Sequence, residues 1–213
     1  MARFRKAVGA VGMWAAALVS VAVLAQPAGK PEFGVQHASD DARFVTNWIL
    51  DADDHRGMPF AVVDKKDARI YVFDAGGRLS GSAPALLGQA VGDDSAPDVG
   101  AHTQAGEVPI PERTTPAGRY ISRPGRNLDG EHVVWVDYAA AVAIHRVRPG
   151  ANLRSREARL ASATPDDNRA SLGCVVVPEA FYDTVVQPLL GRSRAVVYVL
   201  PETRPVREIF GTL

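Results

Sequence analysis

The chain has 213 residues, of which 46% are hydrophobic and 23% are charged, so a folded protein with a sizeable core is expected and a disordered one is not. Its 24 lysines and arginines balance 24 aspartates and glutamates, and this zero net charge gives no support to the basic surface of a nucleic-acid-binding protein. No internal repeat is present, and one domain is expected.

The N-terminus predicts export. Arginines and a lysine at residues 3–6 form a basic segment, and residues 7–25 follow without a charge. Small residues in 23–25 predict cleavage before Gln26. An uncleaved membrane anchor is the alternative, because the uncharged run is about as long as a spanning helix. We predict a signal peptide at 1–25 and a mature protein in the periplasm or cell envelope without a stable membrane anchor.

The chain contains a single cysteine, Cys174. Exported proteins meet oxidising conditions, in which cysteines usually pair as disulfides. Cys174 has no internal partner, so its thiol is either a buried apolar group or a free reactive one.

Residues 26–58 predict an N-terminal extension with one short helix. Ser39 or Asp40 can cap this helix. Its apolar face would consist of Phe44, Val45, Trp48 and Ile49. Residues 51–55 then hold three aspartates and a histidine, but without the spacing of a metal site, so a solvated loop is expected there.

Residues 59–213 predict the main domain, because short β-branched and aromatic runs alternate there with turns. Strands are predicted at 60–64, 69–74, 78–87, 118–122, 131–137, 140–145 and 194–200. Residues 88–118 read as a long loop. A helix is predicted from Pro178, with Phe181, Val185 and Leu189 on one stripe. The fold class is mainly β (a β-rich α+β fold), a sandwich with short flanking helices.

Three features carry chemistry. The segment Ser171–Cys174 presents the thiol on a glycine turn, whose backbone N–H groups can face a developing oxyanion. His145 ends an apolar strand, where a rigidly held imidazole can act as a general base. Residues 115–120 (Thr-Pro-Ala-Gly-Arg-Tyr) form a turn into a strand, for which a structural role is expected.

These features, in this order, resemble the catalytic domain of the L,D-transpeptidases, cysteine enzymes that cross-link bacterial peptidoglycan. The resemblance spans roughly residues 60–200. It rests on an opening strand pair with a Lys-Lys turn, the Thr-Pro-x-Gly-x-aromatic turn, an Ile-His strand end and a Ser-x-Gly-Cys box. Each motif alone is weak, and their shared order gives them weight.

The resemblance implies a role for each matching residue. Cys174 is the nucleophile, which attacks the third residue of a peptide stem and releases the terminal D-alanine. His145 is the base that takes the thiol proton. Gly173 lines the oxyanion site with the Cys174 backbone, and Ser171 supports the turn. No metal or organic cofactor is implied, and the partner is the peptidoglycan stem.

Two features depart from the family pattern. Leu172 and Val176 replace polar residues that commonly flank the nucleophile. An inserted segment from about 146 to 169 separates the histidine from the cysteine. Its arginines, among them Arg146 and Arg169, are candidates for binding stem carboxylates from a lid. A solvated, salt-bridged surface loop is the equal alternative.

Three functions follow from these observations. The first is an L,D-transpeptidase that passes the stem from a Cys174 thioester to an amine. The second is a hydrolytic relative, such as an L,D-carboxypeptidase, in which water resolves the same thioester. The third is a non-catalytic envelope protein that binds peptidoglycan, which the changes at Leu172 and Val176 favour. The oligomeric state cannot be read from the sequence.

Overall fold

A computed structural model describes Phe33 and residues 38–211. The predicted signal peptide at 1–25 lies outside these residues, so the export prediction stays a prediction. Within the described residues, no helix is long and apolar enough to cross a membrane.

Short strands dominate the described part of the chain and are joined by short helices. The strands are β1 (Phe60–Asp64), β2 (Arg69–Phe73), β3 (Leu79–Pro84), β4 (Leu87–Gly88), β5 (Gly118–Arg126), β6 (His132–Asp137), β7 (Val142–Arg146), β8 (Arg169–Ser171), β9 (Val175–Val177) and β10 (Ala195–Val199). The helices are α1 (Asp40–Asp51), α2 (Val99–Ala105), α3 (Leu153–Leu160), α4 (Glu179–Phe181) and α5 (Gln187–Leu190), with a π-helical turn (Tyr182–Val186) joining α4 to α5. The predicted mainly β fold class is confirmed.

One long strand joins two layers of sheet. The strand order is β3-β2-β1-β10-β5-β6-β7-β9, and a separate pair forms between β4 and β8. The first half of β5 pairs with β10 as far as Ser122, and its second half pairs with β6 from Arg123 onward. We call β3, β2, β1 and β10 the first layer and β6, β7 and β9 the second layer. β10 comes last in the chain but lies between β1 and β5.

The core fills the space between the two layers. Val63 and Val197 of the first layer and Ile144 and Val175 of the second belong to one buried cluster. The helical segment after β9 adds Tyr182, Val186 and Leu190 to it. Because side chains alternate along a strand, the neighbours of these residues point to the outer faces of the layers.

Helix α1 covers the outer face of the first layer. Its N-cap is Ser39, whose Oγ accepts a hydrogen bond from the Ala42 N–H at 3.0 Å, and this confirms the predicted start. Val45 and Ile49 are fully buried in a cluster with Phe60 of β1. The α1 helix of the predicted extension therefore packs onto the sheet, and the domain boundary at residue 59 stays a prediction.

The predicted stripe in the helix after Pro178 is displaced by one residue. Phe181, Val185 and Leu189 are only partly buried, whereas the residue after each of them is fully buried. The spacing of four residues is the predicted one, so the side of the helical segment that meets the core is centred one residue later in the chain. Within this segment the Gln187 N–H donates to the carbonyl of Tyr182, five residues earlier, which makes one turn π-helical. The loop predicted at 88–118 also contains helix α2 and a 3₁₀ turn at Ile110–Glu112.

Candidate functional site

Two neighbouring parallel strands carry the proposed histidine and cysteine. His145 of β7 pairs with Val176 of β9, and Cys174 immediately precedes β9. Cys174 and Val176 are two residues apart and therefore point to the same face, the outer face of the second layer. Two steps along a strand and one across correspond to about 8 Å between the Cα atoms of His145 and Cys174. The structure therefore places the two predicted residues on one face.

The His145 ring is held by a backbone carbonyl. Its Nδ1 lies 2.7 Å from the carbonyl oxygen of Arg146, which can only accept a hydrogen bond, so Nδ1 carries the proton. In the neutral ring, Nε2 then has a free lone pair. Burial lowers the pKa of His145 to about 4, the bond to Arg146 opposes this, and the charge of Arg148 adds to the lowering. His145 is thus neutral near pH 7 and able to accept a proton.

The Cys174 thiol is half-buried and protonated at neutral pH. Burial raises the pKa of Cys174, and a backbone hydrogen bond from Ala143 and the charge of Arg148 only partly oppose this rise. Sγ lies 3.6 Å from the carbonyl oxygen of Ala141 and donates to it. No hydrogen bond joins His145 to Cys174 within the described residues. The resting pair is therefore neutral, and the thiol must rotate toward the imidazole before it can lose its proton.

Ser171 ties together the turn that presents the thiol. Its Oγ donates to the carbonyl oxygen of Cys174 at 2.6 Å and accepts from the Gly173 N–H at 3.1 Å. The Gly173 N–H, predicted to line the oxyanion site, is thus already engaged. The Cys174 N–H has no hydrogen-bond partner in the described part of the chain, so it is the backbone donor that remains for an oxyanion.

Gly173 is required by both its conformation and its surroundings. Its φ of +135° is one that residues with a side chain rarely adopt, and a Cβ at this position would lie 2.7 Å from the Thr114 carbonyl oxygen. Its own carbonyl oxygen accepts a hydrogen bond from Thr115 Oγ1 at 2.9 Å. The same hydroxyl oxygen accepts from the Gly88 N–H, also at 2.9 Å. The Thr-Pro turn therefore holds the cysteine turn directly, a contact of the structural kind expected from its sequence.

We expect Gly173→Ala to displace the Cys174 thiol, because the added Cβ clashes with Thr114, and to lower any reaction rate that depends on the position of this thiol by about 10²-fold. The strained backbone should also cost about 1–3 kcal/mol of stability. Gly130→Ala is the matched control, since Gly130 has a φ of +79° and nothing within 4 Å of its Cβ position. Steady-state assays and thermal unfolding of both variants check this. Equal activity in both would contradict a positional requirement at Gly173.

A buried ionic cluster lies behind this turn, and the sequence interpretation missed it. Lys65 Nζ donates to Asp93 Oδ1 at 2.8 Å and to the Thr115 carbonyl at 2.9 Å, and it lies 3.3 Å from Glu202 Oε1. Arg169 forms an ion pair with Glu202. The only sequence signal was the Lys-Lys turn of the family pattern, which shows nothing of the distant acids. The cluster holds Thr115 on one side of the thiol turn and Arg169 on the other.

The two arginines predicted to bind substrate have other partners. Arg146 Nη1 lies 3.2 Å from Asp183 and 3.6 Å from Glu179, and the guanidinium carbon lies over the Tyr182 ring, 5.8 Å from its centre. Arg169 binds Glu202 and the Lys65 carbonyl. Among the described residues, neither guanidinium contacts Cys174 or His145, and the assignment of both arginines to substrate binding stays a prediction.

The two departures from the family pattern have different surroundings. Leu172 is 45% exposed beside the thiol. Val176 is buried in an apolar cluster that helix α3 of the inserted segment helps to form. We call it the outer cluster; it consists of Leu86, Val147, Leu160 and Val176, with Leu153, Ala170 and Cys174 packed against it. An apolar residue at position 176 is thus explained by the helix above it.

The acidic loop after α1 is accounted for by contacts within the fold. Asp54 accepts hydrogen bonds from Arg119 and Tyr198, and the Arg119 contact measures 2.5 Å. Nowhere in the described ranges do three or more His, Cys, Asp or Glu side chains group as a metal site would require.

Solved L,D-transpeptidases are among the structures that this fold is similar to. No protein-family model and no curated protein matches the chain. An L,D-transpeptidase from Mycobacterium smegmatis is 16% identical, with 66% of this chain and 58% of that chain covered and a TM-score of 0.37. The catalytic domain of an E. faecium L,D-transpeptidase is 18% identical over 67% of this chain and 96% of that one, with a TM-score of 0.33. The helical cell shape determining protein Pgp2 from Campylobacter jejuni is 12% identical over 78% of this chain and 58% of that one, with a TM-score of 0.43.

This chain thus spans less than two thirds of the length of the Mycobacterium smegmatis and Campylobacter jejuni proteins. At these identities and TM-scores, the activity of the chain has to be inferred from its own residues.

Proposed function

We propose that the chain is a peptidoglycan L,D-transpeptidase of the cell envelope, with Cys174 as nucleophile and His145 as general base. The observation that carries the proposal is the placement of both side chains on one face of β7 and β9, with His145 held in the tautomer whose Nε2 is a base. The substrate, a tetrapeptide stem ending in D-alanine, is inferred from the sequence resemblance.

The first half-reaction makes a thioester. Nε2 of His145 takes the proton from Sγ as Sγ attacks the carbonyl carbon of the third stem residue. The carbonyl electron pair moves onto oxygen, and the Cys174 N–H can stabilise this oxyanion. The intermediate collapses by breaking the bond to D-alanine, whose nitrogen receives the proton from Nε2. Cys174 then holds the acyl group, and His145 is neutral again.

The second half-reaction returns the thiol. An amine from another stem attacks the thioester carbon and passes a proton to Nε2, and the carbon–sulfur bond breaks. The sulfur regains its proton from His145, and an amide cross-link remains. Water attacking the same thioester would give a tripeptide and make the chain a carboxypeptidase. The residues are the same in both cases, so the acceptor has to be determined by experiment.

The test uses the purified protein and its Cys174→Ala variant, each incubated with disaccharide-tetrapeptide and analysed by mass spectrometry. We expect a dimer that lacks one D-alanine with the wild type. In the variant we expect a loss of at least about 10⁴-fold, because the nucleophile is absent. Circular dichroism shows whether the variant is folded.

The other products would decide between the remaining functions. Tripeptide without dimer would replace transpeptidation with hydrolysis. Unchanged substrate with a folded wild-type protein would leave the non-catalytic peptidoglycan-binding protein as the function, and Leu172 and Val176 would be the positions to change first.

A further inference from the structure

Helix α3 of the inserted segment turns one arginine toward the proposed site. Leu153 and Leu160 pack against the outer cluster, which includes Val176 and Cys174. Arg156 lies three residues after Leu153 and four before Leu160, so it belongs to the same stripe of the helix. Arg156 is half-buried, whereas Arg154 on another side of α3 is exposed. Arg156 therefore faces the surface that carries the nucleophile.

Arg156 has no ion-pair or hydrogen-bond partner among the described residues, unlike Arg148 and Arg159, two other half-buried arginines nearby. Arg148 Nε lies 2.8 Å from Glu131, and Arg159 donates to the Asp167 carbonyl at 2.6 Å. The guanidinium of Arg156 forms no ion pair or hydrogen bond with any residue that the structure describes. No nitrogen of Arg156 is among the described side-chain atoms that are buried without a hydrogen-bond partner, so its N–H groups reach solvent and are free to bind an anionic ligand.

The charge of Arg156 also reaches the proposed base. It contributes to the lowered pKa of His145, after the larger effects of burial and Arg148 and against the opposing charge of Glu131. A bound anion beside Arg156 would offset this charge. Ligand binding and the basicity of His145 are therefore coupled through the same guanidinium.

We propose that Arg156 binds a carboxylate of the peptide that Cys174 attacks. This inference rests on the proposed function and adds a specificity-determining residue to it, on the inserted helix. The guanidinium presents paired N–H donors in the geometry that a carboxylate accepts, so recognition would favour stems with a free carboxylate over amidated ones.

The test measures binding to the Cys174→Ala protein, in which no chemistry consumes the ligand. The probes are a disaccharide-tetrapeptide with free carboxylates and versions with each carboxylate amidated in turn. Arg156→Gln is expected to weaken binding of the free peptide about 10- to 100-fold, as loss of a charge-assisted hydrogen bond predicts. One of the amidated peptides should bind the Cys174→Ala protein as weakly as the free peptide binds the protein that also carries Arg156→Gln. The protein with Arg156→Gln should bind this amidated peptide and the free peptide equally.

Arg154→Gln is the matched control, because Arg154 also lacks a partner among the described residues but is exposed. It should leave binding unchanged, and Arg156→Lys should restore part of it. An NMR titration of His145 gives a second readout: removing the Arg156 charge should raise the pKa of His145, and Arg154→Gln should raise it less. Equal binding of free and amidated peptides, or equal effects of Arg154→Gln and Arg156→Gln, would overturn the proposal.

Failure of the inference and failure of the proposed function are distinguishable. Arg156-dependent binding without turnover by the wild type would keep the carboxylate site and refute the reaction. Turnover that is indifferent to Arg156→Gln would keep the reaction and refute the site.

Discussion

Replacing Lys65 with Met is expected to lower the free energy of unfolding by about 3–5 kcal/mol, because Asp93 and Glu202 lose the fully buried cation between them, while Arg169 and Arg204 remain at the edge of the cluster. The Lys65 side chain is 0% exposed and that of Asp93 1%, so water cannot compensate for the loss. Burial alone would raise the pKa of Asp93, but hydrogen bonds from Lys65 and Thr203 hold it well below its usual range. The measurement is urea denaturation at neutral pH.

Lys66→Met is the control for this variant. Lys66 is the next residue and also binds an aspartate, Asp41 at 2.7 Å, but its side chain is 48% exposed. An exposed pair contributes less than about 1 kcal/mol. Similar losses in the Lys65 and Lys66 variants would show that burial of the cluster does not determine its contribution.

His145→Gln is expected to lower turnover of the tetrapeptide by about 10²- to 10⁴-fold, because the thiol loses its general base. The variant keeps a hydrogen-bonding side chain of similar size. In the wild type the rate should rise as pH increases through about 4, where His145 becomes neutral, and stay level through neutral pH. His132→Gln, at an exposed histidine, should change neither the rate nor its pH profile.

The same variant tests the buried state of His145 through stability. The folded protein binds the proton with a pKa of about 4, below the ordinary value of 6.5, so protonation favours the unfolded chain. The contribution of the neutral imidazole to the free energy of unfolding is complete above pH 6.5. It is lost as pH falls toward 4, which lowers the free energy of unfolding by about 3 kcal/mol. The difference in free energy of unfolding between the wild type and His145→Gln, measured by denaturation at pH 7, 5 and 4, should show this loss. A difference independent of pH would contradict the buried, neutral imidazole.

The inserted segment and Val176 form a single feature in three dimensions. In sequence, the insertion and the apolar residue at 176 are separate departures from the family pattern. In the structure, Leu160 of α3 lies in one cluster with Val176, so the inserted helix and the apolar residue pack together. Part of the inserted segment thus packs against the fold beside the proposed site. Only its outward-facing arginines fit the solvated surface loop that the sequence offered as an alternative.

Local patterns predicted much of the secondary structure. The alternation in 60–64 and 69–74 predicted the β1–β2 hairpin, and a serine before an apolar face predicted the start of α1 at Asp40. These features depend on neighbours within a few residues, which the sequence displays directly. The predicted stripe after Pro178 had the observed four-residue spacing but was displaced by one residue, because the side of a helix that meets the core depends on how the helix packs on the strands, which spacing within the helix does not reveal.

What the sequence by itself determined is therefore the mainly β class, most strand positions, and the glycine turn that presents the lone thiol after a strand-end histidine. Tertiary structure alone decided the partners of the charged groups. Lys65 binds Asp93 across 28 residues and Thr115 across 50, and both contacts depend on how the segment between β4 and β5 lies against the end of β1. Arg146, Arg156 and Arg169 are chemically alike and close in the chain. Two of them have acidic partners and Arg156 has none in the described part of the chain, because ion pairing depends on which distant acids the fold brings within reach.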